Sequence, residues 1–352
     1  MRTTSVGVDA IARHADILDV RTPNEFDEDH VPGAINTPVL SNEERANVGT
    51  IHAQASDFDA RKLGAALISR NIADIVTRMR DKPRDFAPLV YCWRGGQRSR
   101  SLTHVLNEIG WRAMQLGGGY RAYRRHVVER LDALPQRFDY RVVCGLTGSG
   151  KSRLLAALDQ AGAQVLDLEA LAKHRGSLLG ELPQTSQPSQ RAFESGLVAA
   201  LERFDVGTPV FVESESRRIG RVQLPTTLVD AMRAAPCVRV DLAQSLRVEL
   251  LKSEYAHFLA DGAFLAERLQ SLAPLHGNAA IERWNAMAAR GEFDALVEAL
   301  VREHYDPAYA RAIERNFPRH VVAKVVAPDA IDALSWSRAA RALIDTVQEN
   351  GQ

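Results

Sequence analysis

Two short segments combine residues whose types and spacing point to chemistry. Tyr91-Cys92-Trp93-Arg94-Gly95-Gly96-Gln97-Arg98-Ser99 sets a lone cysteine in a turn rich in glycine and arginine. Gly145-Leu146-Thr147-Gly148-Ser149-Gly150-Lys151-Ser152 has the spacing G-x-x-x-x-G-K-S. In the first, successive backbone N–H groups can point inward and bind an anion, while Arg94 and Arg98 add fixed positive charge. A helix N-terminus and nearby arginines favour the thiolate form of Cys92, the nucleophilic form of cysteine. Gly95 and Gly96 permit positive φ and close approach of a ligand. In the second, backbone N–H groups cradle a diphosphate, Lys151 pairs with its oxygens, and Ser152 is placed to take Mg²⁺.

Both loops need the same support, a buried strand before and a helix after. Pro88–Cys92 and Tyr140–Cys144 read as buried strands, and Ser99–Ile109 and Ser152–Gln160 as the helices that follow. Ile17–Val20, Ile35-Asn36, Trp111–Leu116, Val165–Asp167 and Pro209–Glu213 add further strands, and residues 56–80 have the apolar spacing of a long helix. Strands alternating with helices predict parallel sheets. The pattern stops and restarts around residues 131–139, which gives a first domain over 1–130, a linker, and a second domain over 140–352 that is mostly helical from 245 to 310. Residues 181–190 are polar and proline-containing, and read as a loop able to act as a lid.

Acidic residues near the second loop have two readings. Asp167 and Glu213 end strands, where an acid can face a metal or merely cap a helix or meet solvent. Glu213-Ser214-Glu215-Ser216-Arg217-Arg218 could hold a metal and a second anion, or be a helix start with solvated charges.

Composition bounds the rest. The 352 residues fit two domains, with 45% hydrophobic and 25% charged residues, as in ordinary globular proteins. Lys+Arg and Asp+Glu balance at 44 each, so net charge does not signal a polyanion partner. The stretch 94–125 does: it holds seven arginines against one acid. Three cysteines without a C-x-x-C pair, and histidines without metal-ligand spacing, argue against a disulfide framework or a zinc site. With no apolar run of membrane length or signal-peptide character, the cytoplasm is the expected compartment.

Asp19-Val20-Arg21-Thr22-Pro23-Asn24-Glu25-Phe26 and Asp29-His30-Val31-Pro32-Gly33-Ala34-Ile35-Asn36, with the Cys92 loop, resemble the rhodanese family. Arg98 lies six residues after Cys92, a loop length shared with cysteine-dependent phosphatases and suited to an anion larger than a bare persulfide. A rhodanese-like domain fused to a phosphate-loop domain resembles the tRNA 2-selenouridine synthase family. The resemblance extends over Asp167-Leu168-Glu169, His174-Arg175-Gly176-Ser177, Gln187-Pro188-Ser189-Gln190, Glu213–Arg217 with Ile219-Gly220, and His304-Tyr305-Asp306-Pro307.

The resemblance implies an α/β protein: an N-terminal rhodanese-like parallel-sheet domain, then a P-loop NTPase-like α/β domain with a helical C-terminal part. It implies replacement of sulfur by selenium in 2-thiouridine at the wobble position of tRNAs for Lys, Glu and Gln. Selenophosphate is the donor, and an S-geranyl intermediate is made from geranyl diphosphate. The P-loop then takes the geranyl diphosphate, and Cys92 carries selenium as a selenopersulfide with Arg94 and Arg98 on the selenophosphate. No tightly bound cofactor is expected, and a monomer is. Arg100, Arg121, Arg124 and Arg125, with Arg217, Arg218 and Arg221, are the expected tRNA contacts. The competing reading is a cysteine-dependent phosphatase or sulfurtransferase fused to a P-loop kinase-like domain. A non-enzymatic tRNA-binding module is weakened by the intact Cys92, Lys151 and Ser152.

Overall fold

The computed structural model describes residues 5–176, 180–181, 185–256 and 261–349. Ser177 of the His174–Ser177 motif and residues 182–184 of the expected lid loop lie outside the described residues. The chain divides into two units. One is Met1–Asp132 with Pro188–Ala199; the other is Ala133–Gln187 with Ala200–Gln352.

The first unit contains β1 (Ser5–Val6), β2 (Ile17–Asp19), α1 (Pro23–Glu28), β3 (Ile35–Asn36), α2 (Asn42–Gln54), α3 (Asp57–Arg78), β4 (Leu89–Tyr91), α4 (Gln97–Ile109), β5 (Met114–Leu116) and α5 (Gly119–Ala133). Its five strands run parallel in the order β1-β5-β4-β2-β3. β4 is central and all three of its residues are buried, so the residue after it, Cys92, emerges at the carboxyl edge, where open parallel sheets bind ligands. Ile68, Ile72 and Ile75 of α3 pack with Val90, Leu102 and Leu106 into one core. Capping boxes at Thr22 and Ser41 fix the starts of α1 and α2.

The second unit contains β6 (Tyr140–Cys144), α6 (Lys151–Gln160), β7 (Gln164–Leu166) and α7 (Leu168–Ala172). After α8 (Gln190–Leu201), which belongs to the first unit up to Ala199, come β8 (Val210–Glu213), the hairpin β9 (Arg218–Ile219) and β10 (Val222–Gln223), α9 (Thr226–Ala234), β11 (Cys237–Val240) and α10 (Gln244–Glu254). β12 (Lys324–Val326) completes a parallel sheet ordered β12-β11-β6-β8-β7. β6 is again central. The C-terminal helix Ala333–Glu349 joins α6 over this sheet through Trp336, Ala340 and Leu343. Helices between Gly262 and Asn316, interrupted by a π-helical turn at Val301–Tyr305, build a second core around Trp284, Leu269 and Leu296.

The architecture is the mixed α/β one expected. α5 runs through residues 131–133 and a 3₁₀ turn takes Pro135–Arg137, and the change from one unit to the other, between Asp132 and Ala133, falls within residues 131–139. Pro188–Ala199 groups with the first unit because Ser195 bonds Asp29, Arg191 pairs with Glu28 and Glu194 pairs with Arg124. Sequence distance conceals such a return. Among the described residues no helix is long and apolar enough to cross a membrane.

Candidate active site

The Cys92 loop is built by short-range necessities. Gly119 has φ +58° and lies so close that a Cβ there would fall 2.2 Å from the Cys92 carbonyl oxygen; only glycine lets α5 start against the loop. The carbonyls of Cys92 and Trp93 then accept from the N–H groups of Tyr120 and Arg121 at 2.8 and 3.0 Å. The sulfur of Cys92 is buried and accepts two hydrogen bonds, from the Gly96 N–H at 3.2 Å and the Ser99 hydroxyl at 3.1 Å. Ser99 Oγ accepts from Gln115 Nε2 at 2.8 Å, and the same amide donates to the Gly95 carbonyl at 2.8 Å. Both donors are aimed at the one sulfur and fix its position in the loop.

Arg98 is held by Glu25 through two bonds of 2.7 and 3.2 Å. Glu25 is fixed by the α1 capping box, in which it accepts from the Thr22 N–H at 3.1 Å. Burial alone would raise the Glu25 pKa, but the Arg98 ion pair outweighs it and holds the carboxyl below its ordinary range. The ion pair engages two of the five N–H groups of Arg98 and fixes its plane. Asp19, Arg21 and Asp29, all buried, are structural: Arg21 forks onto Asp19 and donates to the Asp29 carbonyl at 2.6 Å.

Cys92, Trp93, Arg94, Gly96, Gln97 and Arg98 form one wall of an open cleft of about 620 Å³. Its opposite wall is the facing stripes of α2 (Arg45, Val48, Gly49, His52) and α3 (Ala60, Arg61, Gly64, Ile68). Arg94 is exposed at the cleft and pairs with no acid among the described residues. Gly95 lies behind, packed on the Leu116 carbonyl and the Gly118 N–H.

The second loop joins β6 to α6. Gly150 (φ +87°) lies under Trp336, whose ring a Cβ would meet at 2.2 Å. Lys151 Nζ donates to the Gly145 carbonyl at 3.0 Å and lies 5.4 Å from the centre of the Tyr309 ring. Leu146 accepts at its carbonyl from the Ser149 N–H, which tightens the turn. Arg247 braces the loop from outside. It donates to the Thr147 carbonyl at 2.7 and 3.0 Å and forks onto Asp306 at 2.6 and 3.0 Å. That gives Asp306 of the His304–Pro307 motif a positioning role that its sequence position did not disclose.

Beside the loop lie three acids that burial drives toward their neutral forms. Ser152 Oγ donates to Glu169 Oε2 at 3.1 Å, and the Glu169 N–H donates to Glu213 Oε1 at 2.7 Å. Burial, reinforced by Glu215, pushes the Glu169 pKa up to about 7, and burial raises those of Glu213 and Glu215 as well. Glu213 Oε2 is buried without a hydrogen-bond partner. Among the described residues no three His, Cys, Asp or Glu side chains converge as a metal cage. Ser152 and Glu169 are the two oxygen-bearing side chains at the loop that could hold a hard cation such as Mg²⁺. Asp167, the other expected acid, caps α7 through the Ala170 N–H at 2.8 Å; Glu169, two residues on, is the acid that meets the loop.

A cavity of about 160 Å³ lies over the loop, lined by Gly148, Lys151, Ser152, Glu169, Arg175 and Tyr309 among others. It shares Thr147, Leu251 and Tyr255 with a second pocket of about 60 Å³, walled by Leu265, Leu296, Val297, Leu300, Val301 and Tyr305. A phosphate cradle therefore adjoins an apolar chamber.

The remaining expected site residues lie away from these cavities. Arg217 reaches Thr226 at 3.5 Å and Arg218 bonds its own hairpin at the Gly220 carbonyl at 2.8 Å. Neither lines the P-loop cavity. Arg124 pairs with Glu194 of the returning helix, so it braces that helix instead of standing in solvent. Arg100, Arg121, Arg125 and Arg221 are exposed. Sequence reasoning did not single out Gln115, Arg247 or Tyr309. None belongs to a local pattern, and only the fold brings each to its loop.

A model described as a rhodanese-like domain matches residues 8–126, and one described as the tRNA 2-selenouridine synthase AAA domain matches residues 138–270. The chain is 33% identical over 313 residues to a tRNA 2-selenouridine synthase of Nitrosomonas europaea, covering 85% of this chain and 80% of that one. It is 34% identical over 338 residues to one from Cupriavidus necator, covering 87% and 90%. A third, from Aeromonas salmonicida, is 38% identical over 250 residues, 69% of this chain and 65% of that one.

Proposed function

The chain belongs to the tRNA 2-selenouridine synthase family, and we propose that it replaces sulfur by selenium in 2-thiouridine at the wobble position of tRNAs for Lys, Glu and Gln. Geranyl diphosphate and selenophosphate are its co-substrates. It works in the cytoplasm as a monomer without a tightly bound cofactor. The observation that carries the reading is the apolar chamber adjoining the phosphate loop, because a nucleotide base seeks polar partners and a prenyl chain does not.

In the first step the 2-thio sulfur attacks C1 of geranyl diphosphate, the C–O bond breaks, diphosphate leaves, and the N3 proton of the base passes to water. Lys151, Ser152 and the loop N–H groups bind the charge growing on that leaving group. Mg²⁺ held by Ser152 and Glu169 would add to this neutralisation. Leu296, Val297, Leu300 and Leu265 offer the prenyl chain an apolar wall, in a pocket of about 60 Å³ that must widen to take all ten carbons. Alkylation makes the sulfur a better leaving group. In the second step selenophosphate, bound at Arg94, Arg98 and the loop N–H groups beside Cys92, attacks C2 through selenium, the C2–S bond breaks and geranylthiolate departs; cleavage of the Se–P bond, with water supplying the oxygen of the released phosphate, then gives 2-selenouridine.

The test is mass analysis of nucleosides after incubation with 2-thiouridine tRNA, geranyl diphosphate and selenophosphate, together and singly. The reading requires S-geranyl-2-thiouridine with the first co-substrate alone and 2-selenouridine with both. Formation of neither by folded, tRNA-binding protein overturns it.

A further inference from the structure

Selenium in selenophosphate and sulfur in a thiolate are both fully reduced. Joining them as a selenopersulfide on Cys92 would release two electrons, and nothing in the reaction accepts them. An electron-neutral role for Cys92 exists if selenium attacks C2 while still bonded to phosphorus. The C2–S bond breaks, geranylthiolate leaves, and the nucleoside retains an Se–phosphoryl group that must be removed.

We propose that the Cys92 loop performs this removal as a thiolate phosphatase acting on the Se–phosphoryl nucleoside; the proposal rests on the reading above. The Cys92 thiolate attacks phosphorus, the Se–P bond breaks, and its electron pair stays on selenium. The 2-selenouridine anion takes a proton from water, and Cys92 is left as a phosphocysteine. Water then attacks phosphorus, the S–P bond breaks with its pair returning to Sγ, the proton goes with the phosphate, and phosphate leaves. Every step conserves electrons.

Three features support this assignment. Five residues separate Cys92 from Arg98, a loop sized for a phosphoryl group, and Glu25 holds Arg98 in one plane by a two-bond ion pair. Ser99 donates to Sγ at 3.1 Å from a buried position and is itself oriented by Gln115. That is where a donor must stand to stabilise a thiolate leaving phosphorus. Finally, the described residues lining the cleft include no Asp or Glu. An ordinary phosphate ester needs an acid to protonate its departing alkoxide. A selenium anion delocalised into a pyrimidine ring departs without one, so it suits a cleft in which His52, itself paired with Asp57 at 3.3 Å, is the one side chain among the described lining residues able to give a proton to a leaving group.

The experiment supplies an S-geranyl-2-thiouridine oligoribonucleotide with selenophosphate labelled at phosphorus or at selenium. Wild-type protein should yield 2-selenouridine and free phosphate. Cys92→Ser, which keeps shape and polarity, should accumulate oligonucleotide bearing both labels. Ser99→Ala should lengthen the lifetime of protein-bound, acid-stable phosphorus label by about tenfold, the loss of one hydrogen bond to a charged group. Selenium label bound covalently to Cys92 of wild-type protein before oligonucleotide is added would overturn the proposal. So would Cys92→Ser releasing phosphate at the wild-type rate. If wild-type protein makes no selenouridine, the underlying reading falls and this step with it; if it does and no doubly labelled oligonucleotide appears in Cys92→Ser, only this step falls.

Discussion

The two loops follow the central strand of a five-stranded parallel sheet in their respective units and run into a helix, yet their surroundings are opposite in character. Around Cys92 the polar groups are satisfied: Glu25 holds Arg98, Gln115 holds Ser99, and Ser99 and Gly96 hold the sulfur. Around Lys151 two buried acids, Glu213 and Glu215, and the half-buried Glu169 have raised pKa values, and Glu213 Oε2 has no hydrogen-bond partner. The first loop is built to hold a nucleophile at rest. The second crowds acids together where ionising them is costly. A group that must attack is best oriented beforehand; a site for a highly charged leaving group gains from binding that relieves repulsion.

The contrast can be broken most decisively at Lys151. Lys151→Ala should lower geranylation of 2-thiouridine tRNA by about 10²–10³-fold, since it removes a donor aimed at developing charge; single-turnover rates with saturating geranyl diphosphate check this, and a near wild-type rate removes the P-loop from prenyl transfer. On the other side, Glu25→Gln frees Arg98 without removing it. The KM for selenophosphate should rise by about tenfold with a smaller change in kcat, and geranylation should keep its rate. Filling the apolar chamber with Val297→Trp should raise the KM for geranyl diphosphate by roughly tenfold while inorganic diphosphate still binds, which isothermal titration would separate.

The crowding also has a pH signature. Glu169 and Glu213 have folded-state pKa values raised above the ordinary carboxylate range, so the folded protein binds more protons than the unfolded chain. Their contribution to stability is present at low pH and is lost as pH rises from the ordinary carboxylate range toward and beyond about 7, the value for Glu169. Glu213→Gln should flatten this dependence and raise the stability of the free protein at pH ~8 relative to wild type. Denaturant melts across pH measure it, and an unchanged slope would show that ionising the carboxylates is not costly. The smallest effect is expected at the surface: Arg121→Glu with Arg125→Glu should weaken tRNA binding and reduce its logarithmic salt slope by about 2.

Both loops could be read along the chain because each is a contiguous motif whose spacing carries its chemistry. The strand before and the helix after were equally local, and Tyr140–Cys144 falls where the apolar pattern placed it. Glu25 and Glu169 sat inside recognisable segments, although nothing in those segments tells which atom each would meet.

Sequence alone determined the family, the α/β class and the two loops that carry Cys92, Lys151 and Ser152, because each loop is a run of consecutive residues. Tertiary structure decided which side chains complete them. Gln115 reaches Ser99 from β5, Arg247 and Asp306 brace Thr147 from distant helices, and α8 returns to place Glu194 on Arg124. The apolar chamber likewise exists only because helices far apart in the chain leave space between them. Such partners are chosen by packing and charge pairing across long loops, where sequence separation carries no information about distance.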